Sequence, residues 1–117
     1  MKIAVIGSRD FSNYEMFKEC VIKYGIIDKA KEIVTGGAKG ADSLAERFAR
    51  ENNIELTVIK PDWSKYGKSA GVARNRNIIE YADFCLAFWD GHSKGTASSI
   101  NHCKLKGKKV IVVPFNQ

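Results

Sequence analysis

Three stretches of this sequence join glycine to hydroxyl, acidic or basic residues: Gly7-Ser8-Arg9, Gly36-Gly37-Ala38-Lys39-Gly40-Ala41-Asp42 and Asp90-Gly91-His92-Ser93-Lys94-Gly95-Thr96. Each follows an apolar, strand-like run and opens into a helical pattern. Glycine lets backbone amides close on a phosphate, and a helix amino terminus offers unpaired N–H groups with a partial positive charge. The chemistry these residues could do is therefore capture of a phosphorylated ligand. Candidate contacts are Gly7, Ser8, Arg9, Gly36, Gly37, Gly40, Ala41, Asp42, Gly91, Ser93, Gly95 and Thr96. One such loop is equally needed just to turn a strand into a helix, but three that share a rim are harder to explain that way. A Walker loop is excluded because Ala41-Asp42 follows Gly40 where lysine and a hydroxyl residue belong. A dinucleotide fingerprint is excluded because Gly7-Ser8-Arg9 lacks the spaced glycines and no acid ends the second strand. A ligand on the scale of a mononucleotide fits what remains.

Arg74-Asn75 adds a guanidinium suited to bidentate phosphate binding and an amide able to read ribose or base. Arg76 cannot share a helix face with Arg74 and is the solvent-facing member of the pair. Asp42 and Asp90 are the acids best placed for ribose hydroxyls, although Asp42 serves equally well as a helix cap. If the protein is an enzyme, Arg74 and Asp42 are its candidate catalytic groups. Trp63 and Tyr66 lie in the longest irregular stretch, Pro61 to Ser69, either pinning a crossover to the core or stacking on a base.

These residues need a scaffold that brings the three loops to one edge. Strand patterns at Lys2-Ile6, Glu32-Thr35, Glu55-Ile59, Phe84-Phe88 and Lys109-Val113 alternate with helical ones. That alternation predicts an α/β fold, a Rossmann-like three-layer sandwich of about five parallel strands with helices on both faces. In such a sheet every loop after a strand lies on the carboxyl rim, where ligands of open α/β sheets bind. The first helix should begin at a Ser12-x-x-Glu15 capping box and bury Phe17, Cys20, Val21 and Tyr24. The second follows Asp42 and ends near Asn52-Asn53, the third covers about Ala70 to Ala82, and the fourth runs from Thr96 towards Gly107.

With 117 residues, residues 1–117 are expected to form a single domain. The net charge of +6 is compatible with nucleic acid or with a small anionic ligand. No apolar run approaches the roughly 20 residues of a membrane-spanning helix, and no leader precedes the first strand, so a cytoplasmic protein is expected. Cys20, Cys85 and Cys103 read as buried thiols rather than a disulfide set. His92 and His102 read as solvated or capping residues, so no metal and no cofactor is expected.

Taken together, Gly7-Ser8-Arg9, Thr35 to Asp42, Ala70-Gly71-Val72-Ala73-Arg74-Asn75 and Phe88-Trp89-Asp90-Gly91 with Ser93 to Thr96 resemble the SLOG superfamily of Rossmann-like nucleotide-ligand domains, closest to its YspA/YpsA-related branch. The resemblance covers nearly the whole chain. It implies a nucleotide or ADP-ribose-like ligand and a homodimer or higher homo-oligomer. The same superfamily holds the Lonely Guy phosphoribohydrolases, in which an arginine and a glutamate cleave the N-glycosidic bond of a nucleoside monophosphate. Arg74 matches that arginine and Gly95-Thr96 the Gly-Thr of the second motif, but Ser99 stands where the glutamate belongs and Ser93-Lys94 replaces part of a diglycine. Glu46, Asp42 or Asp90 would have to substitute for that carboxylate. The expectation is a binding or sensing domain, with a nucleoside monophosphate glycosidase as the alternative. The DNA-processing protein A relatives suggest a third, single-stranded nucleic-acid binding through Trp63 and Tyr66.

Overall fold

The structure is a computed structural model that describes residues 1–115. Strands β1 (Lys2–Gly7), β2 (Glu32–Thr35), β3 (Glu55–Val58), β4 (Phe84–Trp89) and β5 (Lys109–Pro114) form one sheet in the order β3-β2-β1-β4-β5. Every neighbouring pair is parallel. The expected Rossmann-like α/β architecture is therefore what the chain adopts.

Side chains of a strand point alternately to the two faces of its sheet, and β1 shows how this divides the core. Ile3 and Val5 join Phe17 and Val21 of α1 (Tyr14–Lys23) and Ala45, Phe48 and Ala49 of α3 (Ala41–Glu51). Ala4 and Ile6 face the other way, onto Ile78 and Ile79 of α5 (Ala70–Tyr81) and Ile100 and Cys103 of α6 (Lys94–Leu105). The strands read as near-continuous apolar runs because both faces are covered. Helices α1 and α3 thus occupy one layer and α5 and α6 the other.

The chain reverses its direction of travel across the sheet between β1 and β4. From β1 it moves outward through β2 to β3; it then returns to the other side of β1 as β4 and continues to β5. The loops after β1 and β4 consequently diverge to opposite layers, leaving a crevice at the carboxyl rim. There the two strand ends are tied by the Ser8 amide donating to the Phe88 carbonyl at 3.0 Å.

Several local expectations shift. Asn13, rather than Ser12, caps α1, its side chain accepting from the Met16 amide at 3.0 Å. A short helix α2 (Ile26–Lys29) opens from Gly25 at φ +67, a left-handed turn that the helical periodicity did not reveal. The stretch expected to be irregular contains α4 (Trp63–Tyr66), capped by Asp62, and a 3-10 turn over Gly67–Ser69. Trp63 is 62% exposed and Tyr66 42%, so they do not pin this crossover to the core. Helix α6 starts two residues before Thr96 because Ser93 caps it. Cys85 and Cys103 are buried as expected, whereas Cys20 is only half-buried.

Phe88 carries the greatest packing role next to the rim. It is fully buried and stacks on Phe11 at 4.6 Å and on Phe17 at 5.1 Å between centroids. Phe88→Ala should lower the unfolding free energy by about 3–5 kcal/mol, measured by urea titration, since a large aromatic cavity at a strand end cannot collapse fully.

Candidate functional site

The loops after β1, β2 and β4, the middle of α5 and the start of α6 enclose an open cleft of about 660 Å³ at the carboxyl rim. That is within the roughly 300–1,000 Å³ range of small-molecule sites. Of the residues singled out from sequence, Gly7, Ser8, Arg9, Asp42, Arg74, Asn75, Asp90, Ser93, Gly95 and Thr96 line it. Gly36, Gly37, Gly40, Ala41 and Gly91 do not.

Gly36, Gly37 and Gly40 are packing positions. A side chain on Gly40, which has φ +79, would strike the carbonyl oxygen of Ser8, and the residue lies where α3 backs onto the β1 loop. A Cβ on Gly36 would meet the Arg74 guanidinium at 2.5 Å, and one on Gly37 would meet Val58 at 2.9 Å. The β2–α3 loop is therefore glycine-rich where the chain packs against itself, and these glycines, expected in a phosphate cradle, lie outside the cleft lining. Gly7 combines both features, lining the cleft while leaving no room between Ala41 and Phe88.

The amides of that loop are also engaged. Asp42 Oδ2 accepts from the Gly36 and Ala38 amides, each at 3.2 Å, while its own residue is only 8% exposed. Asp42, expected as a ribose contact or catalytic acid, lines the cleft and also acts as an internal anchor. Burial pushes its carboxyl above the ordinary 3.8, outweighing the two amides and the nearby Arg74 that favour its charge. Arg74 completes the anchor: Nη1 donates to the Gly36 carbonyl at 2.6 Å and Nε to Asn75 Oδ1 at 2.8 Å. Burial works against its charge and Asp42 supports it. Two of the five N–H donors of a guanidinium are engaged in these bonds, and Arg74 still lines the cleft.

The β4–α6 loop is shaped by Asp90. Its Oδ1 accepts from the His92 and Ser93 amides, both at 2.8 Å, and these amides, Ser93 first, hold the carboxyl below its ordinary range. Ser93 in turn caps α6, its hydroxyl accepting from the Thr96 amide at 3.4 Å. The amides of Lys94 and Gly95, in the first turn of α6, have no intrahelical acceptor by the geometry of the helix. Gly95, Thr96 and Ser99 of this helix line the cleft.

Ile6, Asp10, Ala38, Ile78, His92 and Ser99 line the cleft without having been singled out as ligand contacts. Asp10 and Ser99 carried a usable signal, one falling just after the first glycine loop and the other one helical turn after Thr96. Glu46 does not line the cleft and pairs with Arg50 at 3.5 Å. His102, expected to be solvated or capping, has its Nε2 buried.

The family model described as the YspA, cpYpsA-related SLOG family matches residues 1–66, which span β1 through α4 and include the β1 and β2 loops. The chain belongs to this SLOG family. Gene 61 protein of Mycobacterium phage D29 is 37% identical over 99 residues, covering 80% of this chain and 72% of the phage protein. Among solved structures, DNA processing protein A from Streptococcus pneumoniae superposes with a TM-score of 0.79 at 20% identity, over 98% of this chain. DNA processing protein A from Helicobacter pylori, described for a single-stranded DNA binding mode, gives 0.73 at 22% identity over 99%. This chain spans 50% of the first and 66% of the second. At such identities the likeness is one of fold, and it runs past residue 66 to β5.

Removing the Asp42 carboxylate should free two buried amides. Asp42→Ala is expected to cost about 1–3 kcal/mol in chemical denaturation. Asp42→Asn, which keeps an oxygen acceptor, should recover much of that loss. Because the folded carboxyl titrates above its unfolded value, the protonated form is favoured on folding. The wild type should therefore lose stability relative to Asp42→Asn as pH rises from 3.8 through the folded value.

Proposed function

We propose that the cleft binds a phosphorylated nucleoside, its phosphate against the amino terminus of α6 with Arg9 and Arg74 nearby, and that the protein acts as a nucleotide-binding or sensing domain. The observation that carries this reading is the meeting of α6's first turn, two arginines and the Ser8, Ser93, Thr96 and Ser99 hydroxyls in one cleft at the switch point. A helix amino terminus supplies N–H groups and partial positive charge, the arginines supply full charge, and hydroxyls adapt to either donor or acceptor. The net charge of +6 would speed encounter with an anion. Membership of a SLOG family supports the ligand class.

A glycosidase is the weaker alternative. Ser99 faces the cleft where the Lonely Guy enzymes place a glutamate, Asp42 is held by two amides, and Asp90 accepts two more. A hydroxyl cannot stabilise an oxocarbenium-like centre as a carboxylate does.

A second reading, single-stranded nucleic-acid binding, is favoured by the exposure of Trp63 and Tyr66 in a segment that also carries Lys60, Lys65 and Lys68. Exposed aromatic faces among cations suit stacked bases and a tracked phosphate backbone. The Helicobacter pylori DNA processing protein A binds single-stranded DNA, and the likeness of its fold supports testing the same here.

A nucleoside monophosphate present at about 100 times its dissociation constant should stabilise the wild type by roughly 2.7 kcal/mol in a thermal-shift titration. Arg9→Ala, at an exposed position, should weaken that binding by roughly tenfold or more, as expected for a lost charge-assisted hydrogen bond. If no nucleotide moves the melting temperature, the cleft reading fails. For the second reading, binding of a short thymidine oligonucleotide should fall steeply with added salt, and Trp63→Ala should cost about 1–3 kcal/mol. A salt-insensitive or absent signal removes it.

A further inference from the structure

A second, smaller cavity of about 180 Å³ runs between α5 and α6. It shares Asn75, Gly95 and Ser99 with the main cleft, so the two spaces lie side by side along α5 and the start of α6. We infer that this groove is the subsite for the nucleobase of the ligand whose phosphate sits in the main cleft; the inference rests on that nucleotide reading.

The groove is too small for a complete small-molecule site, which occupies roughly 300–1,000 Å³. It suits one flat ring system branching from a larger ligand. Val72 and Ile79 on α5 and Leu105 on α6 give it apolar surface, as stacking of a heterocycle requires. Asn101 and His102 add an amide and an imidazole, which can meet the donors and acceptors on the edge of a base.

His102 provides the independent observation. Its Nε2 is buried and has no hydrogen-bond partner among the described residues; the nearest charge is Glu80 Oε1 at 3.9 Å, which Lys106 also approaches at 3.4 Å. Buried polar atoms are normally bonded, and His102 lines the groove, so a turn of its ring would bring the unbonded nitrogen to a ligand seated there. Asn75 stands at the junction, where its amide could bridge sugar and base while its Oδ1 receives the Arg74 Nε–H. The groove thus extends the grip of the site from phosphate to base, and with it the choice among nucleotides.

The test compares ribose 5-phosphate with AMP, GMP, CMP and UMP by calorimetry, on the wild type and on two variants. Ser98→Trp fills the groove from an exposed position on α6, and His102→Ala removes the orphan nitrogen. At least one nucleotide should bind about tenfold or more tightly than ribose 5-phosphate, which is about 1.4 kcal/mol. Ser98→Trp should abolish that advantage while leaving ribose 5-phosphate affinity unchanged, and His102→Ala should reduce it. If ribose 5-phosphate binds but no base adds affinity, or if the advantage survives Ser98→Trp, the subsite is refuted and the phosphate reading stands. Absence of binding by all five compounds overturns both. Should Ser98→Trp change only the sedimentation of the protein, the groove is a seam between copies of the chain and the inference fails.

Discussion

The carboxylate of Asp42 and the guanidinium of Arg74 hold one loop from its two sides. Asp42 takes the Gly36 and Ala38 amides, and Arg74 takes the Gly36 carbonyl, so the backbone after β2 is fixed by side chains from two helices in different layers of the fold. A buried carboxylate is costly, and the two amides on Oδ2 and the nearby Arg74 offset that cost only in part, since burial still pushes the carboxyl up. The clamp sets the position of Arg74, which forms one wall of the cleft. It also ties the start of α3 to the crossover helix α5 across the end of the sheet.

With that loop fixed, the glycines around it become intelligible as packing positions. Gly40 lets α3 approach the carbonyl of Ser8, and Gly36 admits the Arg74 side chain. The ligand-facing backbone is left to the β4–α6 turn, where Asp90 and Ser93 engage three amides and the first turn of α6 still presents others. The rim therefore divides its work: the β2 loop is mostly internal structure and gives the cleft only Ala38 and Asp42, while the β1 and β4 loops face it. This arrangement follows from the sheet order, since only the loops on either side of the switch point diverge enough to leave space between them.

The match of the family model to residues 1–66 and the superposition of both DNA processing protein A structures over nearly all of this chain describe the same scaffold at two depths. The family match marks the half that holds the β1 and β2 loops. The half that follows carries Arg74, Asn75 and the whole of α6, the side chains that most distinguish this cleft from a generic Rossmann crevice.

The sequence by itself determined the strands, the main helices, their parallel order and the gathering of three glycine loops on one rim. Those follow from local periodicity and from the near-uniform right hand of crossover connections, both of which are written along the chain. Tertiary structure alone decided whether each polar residue turned to the cleft or to the protein. Asp42 and Asp90 look alike in sequence, each an acid beside glycines, yet the first is buried against backbone amides and the second shapes an exposed turn. The difference arises because the partners that settle it, Gly36 and Arg74 for Asp42, lie 6 and 32 residues away and are brought near only by the packed sheet. The groove between α5 and α6 was hidden for the same reason: its walls belong to helices that β4 separates along the chain and that meet only when both cover the same face.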